Sequence, residues 1–159
     1  MKRLILLTVL TVTMCSAAGP ANMALSTKAP DCKLKIGDKY AGGIVFYVAP
    51  GNECHGMVCA ADNQSGSCTW GDAARLCKEL RTGGFTDWRM PTNDELNTIY
   101  LALYKPGLAT FTPNYYWGST EDQTNKNLAY AQYFTGSSQN IYRYVYKTYL
   151  FSVRAVRTF

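Results

Sequence analysis

The chain predicts an α+β fold, a single domain with a mixed, mostly antiparallel sheet and two flanking helices. Three observations carry that reading. Strand-like runs open and close the domain, Gly42-Gly43-Ile44-Val45-Phe46-Tyr47-Val48 and Val153-Arg154-Ala155-Val156-Arg157. Two central stretches repeat their apolar residues at helical spacing. The elements segregate as strands, two helices, then strands. With 159 residues, 47% apolar and 17% charged, the chain is long enough for one globular domain and not for two.

The N-terminus reads as an export signal. Lys2 and Arg3 precede an apolar run from Leu4 to Met14 that is too short to span a bilayer, and the small residues Ser16, Ala17 and Ala18 follow. Residues 1–18 are therefore expected to be a signal peptide cleaved after Ala17 or Ala18, placing the protein in the periplasm, at the cell surface or outside the cell. A lipid on Cys15 is the competing reading and the only membrane attachment expected. Met14 is larger than the small residue that normally precedes such a cysteine. Residues 19–35, with Pro20 and Pro30, read as a polar linker, and the domain as 36–159. Export puts Cys32, Cys54, Cys59, Cys68 and Cys77 in an oxidising compartment, so two disulfides and one leftover thiol are expected, with the pairing left open. The cysteine spacings are not paired metal knuckles and His55 is the only imidazole, so neither a metal nor a cofactor is expected.

After the opening strand, Pro50-Gly51-Asn52 is a turn signal and Met57 to Ala61 a partner strand. Trp70, Ala73, Ala74, Cys77 and Leu80 form one helical face, stopped by Gly83-Gly84. Thr92 with Glu95 three residues on is a capping box for a second helix, whose apolar face is Leu96, Ile99, Tyr100 and Leu103 and which ends at Lys105-Pro106-Gly107. Tyr115-Tyr116-Trp117 and Ala129 to Phe134 read as strands, and Gly136-Ser137-Ser138 as a turn. Ile141 to Tyr146 alternates, with Tyr142, Tyr144 and Tyr146 on one face and Ile141, Arg143 and Val145 on the other.

No catalytic constellation can be assembled, so the protein is expected not to be an enzyme. Asp87-Trp88-Arg89 sits between a double glycine and a capped helix and reads as architecture. Asp94 and Glu95 are adjacent and splay apart on a helix, and Glu95 is used by the cap. His55 has no Gly-x-Ser-x-Gly partner and reads as a surface turn residue. Glu121 and Asp122 lack the converging oxygens that a hard cation needs.

The informative segment is the tail. From Gln123 to Phe159 there is no acid, while Lys126, Arg143, Lys147, Arg154 and Arg157 are basic and Tyr130, Tyr133, Tyr142, Tyr144, Tyr146 and Tyr149 are present. Tyrosines among adaptable polar residues such as Asn127, Ser137, Gln139 and Asn140 suit a recognition surface, and arginine can grip sulfate or carboxylate with both arms. The candidate ligand-binding residues are Lys126, Asn127, Tyr130, Asn140, Tyr142, Arg143, Tyr144, Tyr146, Lys147 and Tyr149. Whether the tyrosine face of 141–146 is core or wet stays open. A net charge of +5 without dense Lys/Arg clusters argues against nucleic acid as a partner.

Several segments resemble one family. Gly83-Gly84-Phe85-Thr86-Asp87-Trp88-Arg89-Met90-Pro91-Thr92 with Glu95-Leu96, Tyr116-Trp117-Gly118-Ser119-Thr120-Glu121, and Val153-Arg154-Ala155-Val156-Arg157 are similar to the GGY-x-DWRLPT-x-x-EL, YWSSTE and VRAVR signatures of the Lcl C-terminal domain family. The opening strand, Trp70 and Cys77 match its start. The resemblance implies a C-type-lectin-like fold in which the first and last strands pair, and an exported bacterial protein. The family is named for the tip of a collagen-like adhesin that binds sulfated glycosaminoglycans. No collagen repeat is present here. What the resemblance implies for this chain is an adhesin-like domain that binds a glycan, sulfated or not, or a protein. Some members are diversified by retroelements, over a window that corresponds here to 125–152. The alternative function is a structural cell-envelope module with no soluble ligand.

Overall fold

A computed structural model describes residues 33–136 and 141–159, with only the backbone described at Ile141 and Tyr142. The expected signal peptide, Cys15, Cys32, most of the linker, and Ser137, Ser138, Gln139 and Asn140 lie outside the described residues.

The described strands form two sheets where the sequence suggested one. The first sheet holds β1 (Lys39–Tyr40), β2 (Gly43–Ala49), β3 (Asn52–Cys59) and β9 (Val156–Thr158), in the order β1-β2-β3-β9 and antiparallel throughout. The second holds β4 (Ser65–Cys68), β5 (Tyr115–Glu121), β6 (Leu128–Tyr133), β7 (Ile141–Tyr146) and β8 (Phe151–Val153), in the order β4-β8-β5-β6-β7. Only the β5–β8 pair is parallel. The split has a local cause. The expected closing strand 153–157 leaves the second sheet at Val153, turns over Arg154-Ala155, and enters the first at Val156. The opening hairpin and the closing strand thus share a sheet. β9 lies directly against β3, with Val58 opposite Arg157, and β2 is one place removed.

The helices begin where their caps dictate. α1 (Trp70–Glu79) starts behind Thr69, whose hydroxyl accepts from the Asp72 amide, and buries Ala73 and Cys77. α2 (Asn93–Ile99) starts behind Thr92 with both halves of the capping box made: the Glu95 amide donates to the Thr92 hydroxyl and the Thr92 amide to the Glu95 carboxylate. Its chain continues as a wider helical turn, Tyr100–Tyr104. Arg89 donates to both Glu95 oxygens at 2.7 and 2.6 Å. Burial alone would raise the Glu95 carboxyl, but Arg89 and the Thr92 amide outweigh it and hold the group below the usual glutamate range.

Two apolar clusters result. One packs α1 with Val45, Trp88, Trp117, Val145 and Val153, and the other packs α2 and the following turn with Phe46, Tyr116, Tyr130 and Phe134. Asp87, Trp88 and Arg89 are structural, as their context suggested. Trp88 is buried and donates to the Thr82 carbonyl. The Arg89 and Val156 backbones exchange two hydrogen bonds of 2.9 and 2.8 Å. Asp87 accepts from Arg157 at 2.7 and 3.2 Å, and the guanidinium also lies 3.6 Å from the Phe85 ring centroid. The double glycines meet here: a Cβ on Gly83 would stand 2.8 Å from the Gly42 Cα, and both residues have positive φ.

The cysteines correct the expectation of two disulfides. Cys59, Cys68 and Cys77 are buried free thiols, so two bridges cannot form among the five. Burial pushes the Cys59 and Cys77 thiols up to about 12.

Two outcomes are expected. Iodoacetamide at pH 8 should leave Cys59, Cys68 and Cys77 unlabelled until urea unfolds the protein, as read by peptide mass mapping; labelling of the native protein would contradict their burial. Arg157 holds the Asp87 carboxyl below the usual aspartate range, so the pair stabilises the fold above about pH 4 and loses that effect as pH falls through the lowered value. Asp87→Asn should cost about 1–2 kcal/mol at pH 7, between the value for exposed pairs and that for breaking a buried one, because Asp87 itself is half exposed. Urea titrations at pH 7 and at pH 3.5 should show the difference between wild type and variant shrinking at the lower pH.

Candidate ligand-binding surface

β7 settles which way its tyrosines face. Val145 is 8% exposed and packs into the α1 cluster, while Tyr144 is 43% and Tyr146 54% exposed. Period-two alternation therefore turns the tyrosine face of this strand to solvent. Tyr149, 50% exposed, and Leu150, 61% exposed, extend the surface through the turn after β7. Tyr149 stacks edge-on against Tyr146 and Phe151, with centroids 6.3 and 5.9 Å apart.

The other sequence-predicted residues do not all join this surface. Tyr130 is 8% exposed, belongs to the α2 cluster, and meets Tyr144 edge-on at 5.9 Å. Lys126 and Asn127 are exposed but sit in the β5–β6 turn. Asn140 and the Tyr142 side chain lie outside the described residues. Lys147 is committed elsewhere: its ammonium is 2.6 Å from Glu121 and 4.2 Å from the Trp70 ring centroid. The Lys147 hydrogen bond holds the Glu121 carboxyl below the usual range. Asp122 is likewise used, accepting from the Thr124 hydroxyl and the Thr124 and Asn125 amides. Neither acid is left to converge on a cation, and no cluster with metal-ligand character occurs among the described residues. His55 lies in β3, exposed, with Nδ1 3.3 Å from the Phe159 carbonyl.

Arg143 joins a feature that sequence reading missed. Phe151 on β8, Tyr115 on β5 and Tyr133 on β6 form a row of rings across three adjacent strands, with centroids 4.9 Å apart at both steps. Strand separation sets that spacing. All three rings are half-buried. Arg143, from the next strand, lies over Tyr115 with its guanidinium 4.8 Å from the ring centroid and donates to the Tyr115 hydroxyl. The signal was present in Tyr115-Tyr116-Trp117: alternation puts Tyr115 and Trp117 on one face and Tyr116 on the other. Which of these lies beyond the helix that covers the face depends on strand register, and that is not local information.

The Lys147 contacts give one expected outcome. Trp88 and Trp117 are 2% and 0% exposed, so Trp70 is the tryptophan whose surroundings a surface change can alter. Lys147→Ala should red-shift the intrinsic fluorescence while leaving the circular dichroism unchanged; an unshifted spectrum would contradict the stacking.

Chemically, the described part of the β7 face and the turn after it offer exposed phenol rings, and the opposite face of the strand carries one arginine fork on Tyr115. No curated protein matches the chain. The model of the family described as Lcl C-terminal domain matches residues 52–157, from the start of β3 to within β9, and on that match the chain belongs to the Lcl C-terminal domain family.

Proposed function

We propose that this protein is an exported, non-enzymatic recognition domain, adhesin-like in role, that binds a glycan or protein ligand through the outward tyrosine face of β7 and the turn after it. The observation that carries the reading is the outward face of Tyr144, Tyr146 and Tyr149 in a segment without acids. An exposed tyrosine on a strand forgoes burial that is favourable, and such rings give large contact area at small entropic cost when a partner covers them. Family membership supports the surface role, and the two sheets with a shared opening hairpin and closing strand suit a C-type-lectin-like fold. The export reading rests on residues 1–18.

A structural envelope module is the second reading. Tyr146, Tyr149 and Leu150 form an apolar rim beside β7, the edge strand of its sheet, which also suits packing against another envelope component.

The two separate on binding. Against a ligand identified by screening the purified protein on a glycan and cell-surface protein array, Tyr149→Ala with Tyr144→Ala should weaken binding by about tenfold to a hundredfold, the loss expected for two contributing contacts. An unchanged Kd would sink the recognition surface. A protein that saturates with no arrayed ligand would instead favour the structural module.

A further inference from the structure

The cysteines still leave room for one bridge. Of the six in the chain, Cys59, Cys68 and Cys77 are buried free thiols. Cys54 is bonded in a disulfide. Its partner within the chain is therefore Cys15 or Cys32, both outside the described residues. Both readings of the N-terminus remove Cys15. Signal cleavage after Ala17 or Ala18 discards it, and a lipid at that position occupies its sulfur. Cys32 is the thiol that remains.

The strand around Cys54 presents its thiol to solvent. Val48 of β2 pairs with Gly56 of β3, and the next residue of β2, Ala49, pairs with Asn52. Glu53, Cys54 and His55 therefore bulge from the ladder with no register partner on β2, and all three are exposed. A bulge re-aims side chains that regular pairing would fix. Its two ends are held. The Cys54 amide donates to the Asn52 side chain at 3.3 Å, and Gly56 exchanges backbone hydrogen bonds of 3.1 and 3.0 Å with Phe159. The free cysteines stand in the opposite situation. Cys68 and Cys77 pack in the α1 cluster and Cys59 in the α2 cluster. A disulfide forms by attack of an accessible thiolate, which a thiol sealed in a core does not deliver. These three thus do not compete for Cys32.

We infer that Cys54 is joined to Cys32, so that a single disulfide ties the linker to the bulge of the β2–β3 hairpin. Two thiols give up two protons and two electrons and form one S–S bond, while an oxidising disulfide takes the electrons and becomes two thiols. The inference draws on the export proposed above, because an oxidising compartment supplies that oxidant. The bond closes the stretch from 32 to 54, which contains β1 and β2, and restricts that stretch in the unfolded chain. It also brings the linker to the same hairpin that binds Phe159.

Peptide mapping of the purified full chain tests this. The folded protein is reduced, reoxidised in a glutathione redox buffer, alkylated with iodoacetamide in urea and digested with trypsin. Cleavage after Lys28, Lys33, Lys39 and Arg75 puts Cys32 in peptide 29–33, and Cys54 with Cys59 and Cys68 in peptide 40–75. The expected result is 29–33 joined to 40–75, with Cys59 and Cys68 alkylated, released by dithiothreitol and absent from Cys54→Ser. Cys32→Ser and Cys54→Ser should each lower the urea midpoint by about 1 M, and dithiothreitol should bring the wild type to that same midpoint without moving either variant. Alkylation of both Cys32 and Cys54 overturns the inference. So does Cys54 joined to Cys15, to one of the buried thiols or to a second chain, the last seen as a dimer on a non-reducing gel. A Cys32→Ser midpoint that dithiothreitol still lowers overturns it as well. A bridge that forms in glutathione but is missing from protein recovered from its own cells overturns the export reading and leaves the bond standing.

Discussion

The buried guanidinium of Arg157 is the point on which the closure of this fold depends. It stands on the last strand, 8% exposed as a side chain, and reaches Asp87, the Ala41 carbonyl and the face of Phe85. Those three residues come from the segment before α2, the turn before β2 and the loop after α1. One cation thus ties the end of the chain to its opening hairpin and to the segment that aims α2. A charge placed there demands compensation, and the sequence supplies it with a carboxylate, a carbonyl and a ring. The close approach of Gly42 and Gly83 belongs to the same arrangement, since side chains at those positions would hold the two loops apart.

Arg154 repeats the solution on the other side of the crossover. It is 3% exposed, donates to the Asn63 side chain and the Thr110 carbonyl, and lies 3.8 Å from the Phe111 ring centroid. Arg154-Ala155 is where the chain passes between sheets, and each flanking arginine anchors one side. The positive charge of the acid-free tail is therefore largely internal: two arginines hold the fold and Lys147 holds the turn after β7 to α1 and β5. Of the tail's cations, Lys126 and Arg143 remain exposed, along with Tyr144, Tyr146 and Tyr149.

Local rules made some of this legible. The capping box of α2 is written in Thr92 and Glu95, the alternation of β7 in Ile141 to Tyr146, and both elements form with those residues in those roles. The face of α1 was readable from Ala73 and Cys77. Other features depend on partners distant in sequence. Ser65-Gly66-Ser67-Cys68 has no strand character of its own and is a strand because it pairs with β8. Phe151 to Val153 and Val156 to Thr158 look like parts of one strand, and only their different partners divide them. The cysteines misled because compartment and count say nothing of distance. The aromatic row was invisible because it is assembled from three strands, and Arg143, chosen for its charge, acts there through its stacking on Tyr115.

The same period of two that builds the core of the second sheet also frees its surface to vary. On β7, Val145 faces the α1 cluster while Tyr144 and Tyr146 face water. On β5, Trp117 is fully buried and donates to the Cys68 carbonyl, while Tyr115, two residues earlier on the same face, lies at the margin of that cluster. Buried and exposed positions are thus interleaved along single strands, and the constraints that close the fold, at Arg154, Arg157, Asp87 and Glu95, touch none of Tyr133, Arg143, Tyr144, Tyr146 or Tyr149. Replacing a core side chain costs packing energy, whereas an exposed strand position away from such features usually changes stability by less than about 0.5 kcal/mol. Among the described residues, a scaffold arranged in this way can change Tyr144, Tyr146 and Tyr149 without changing how it folds.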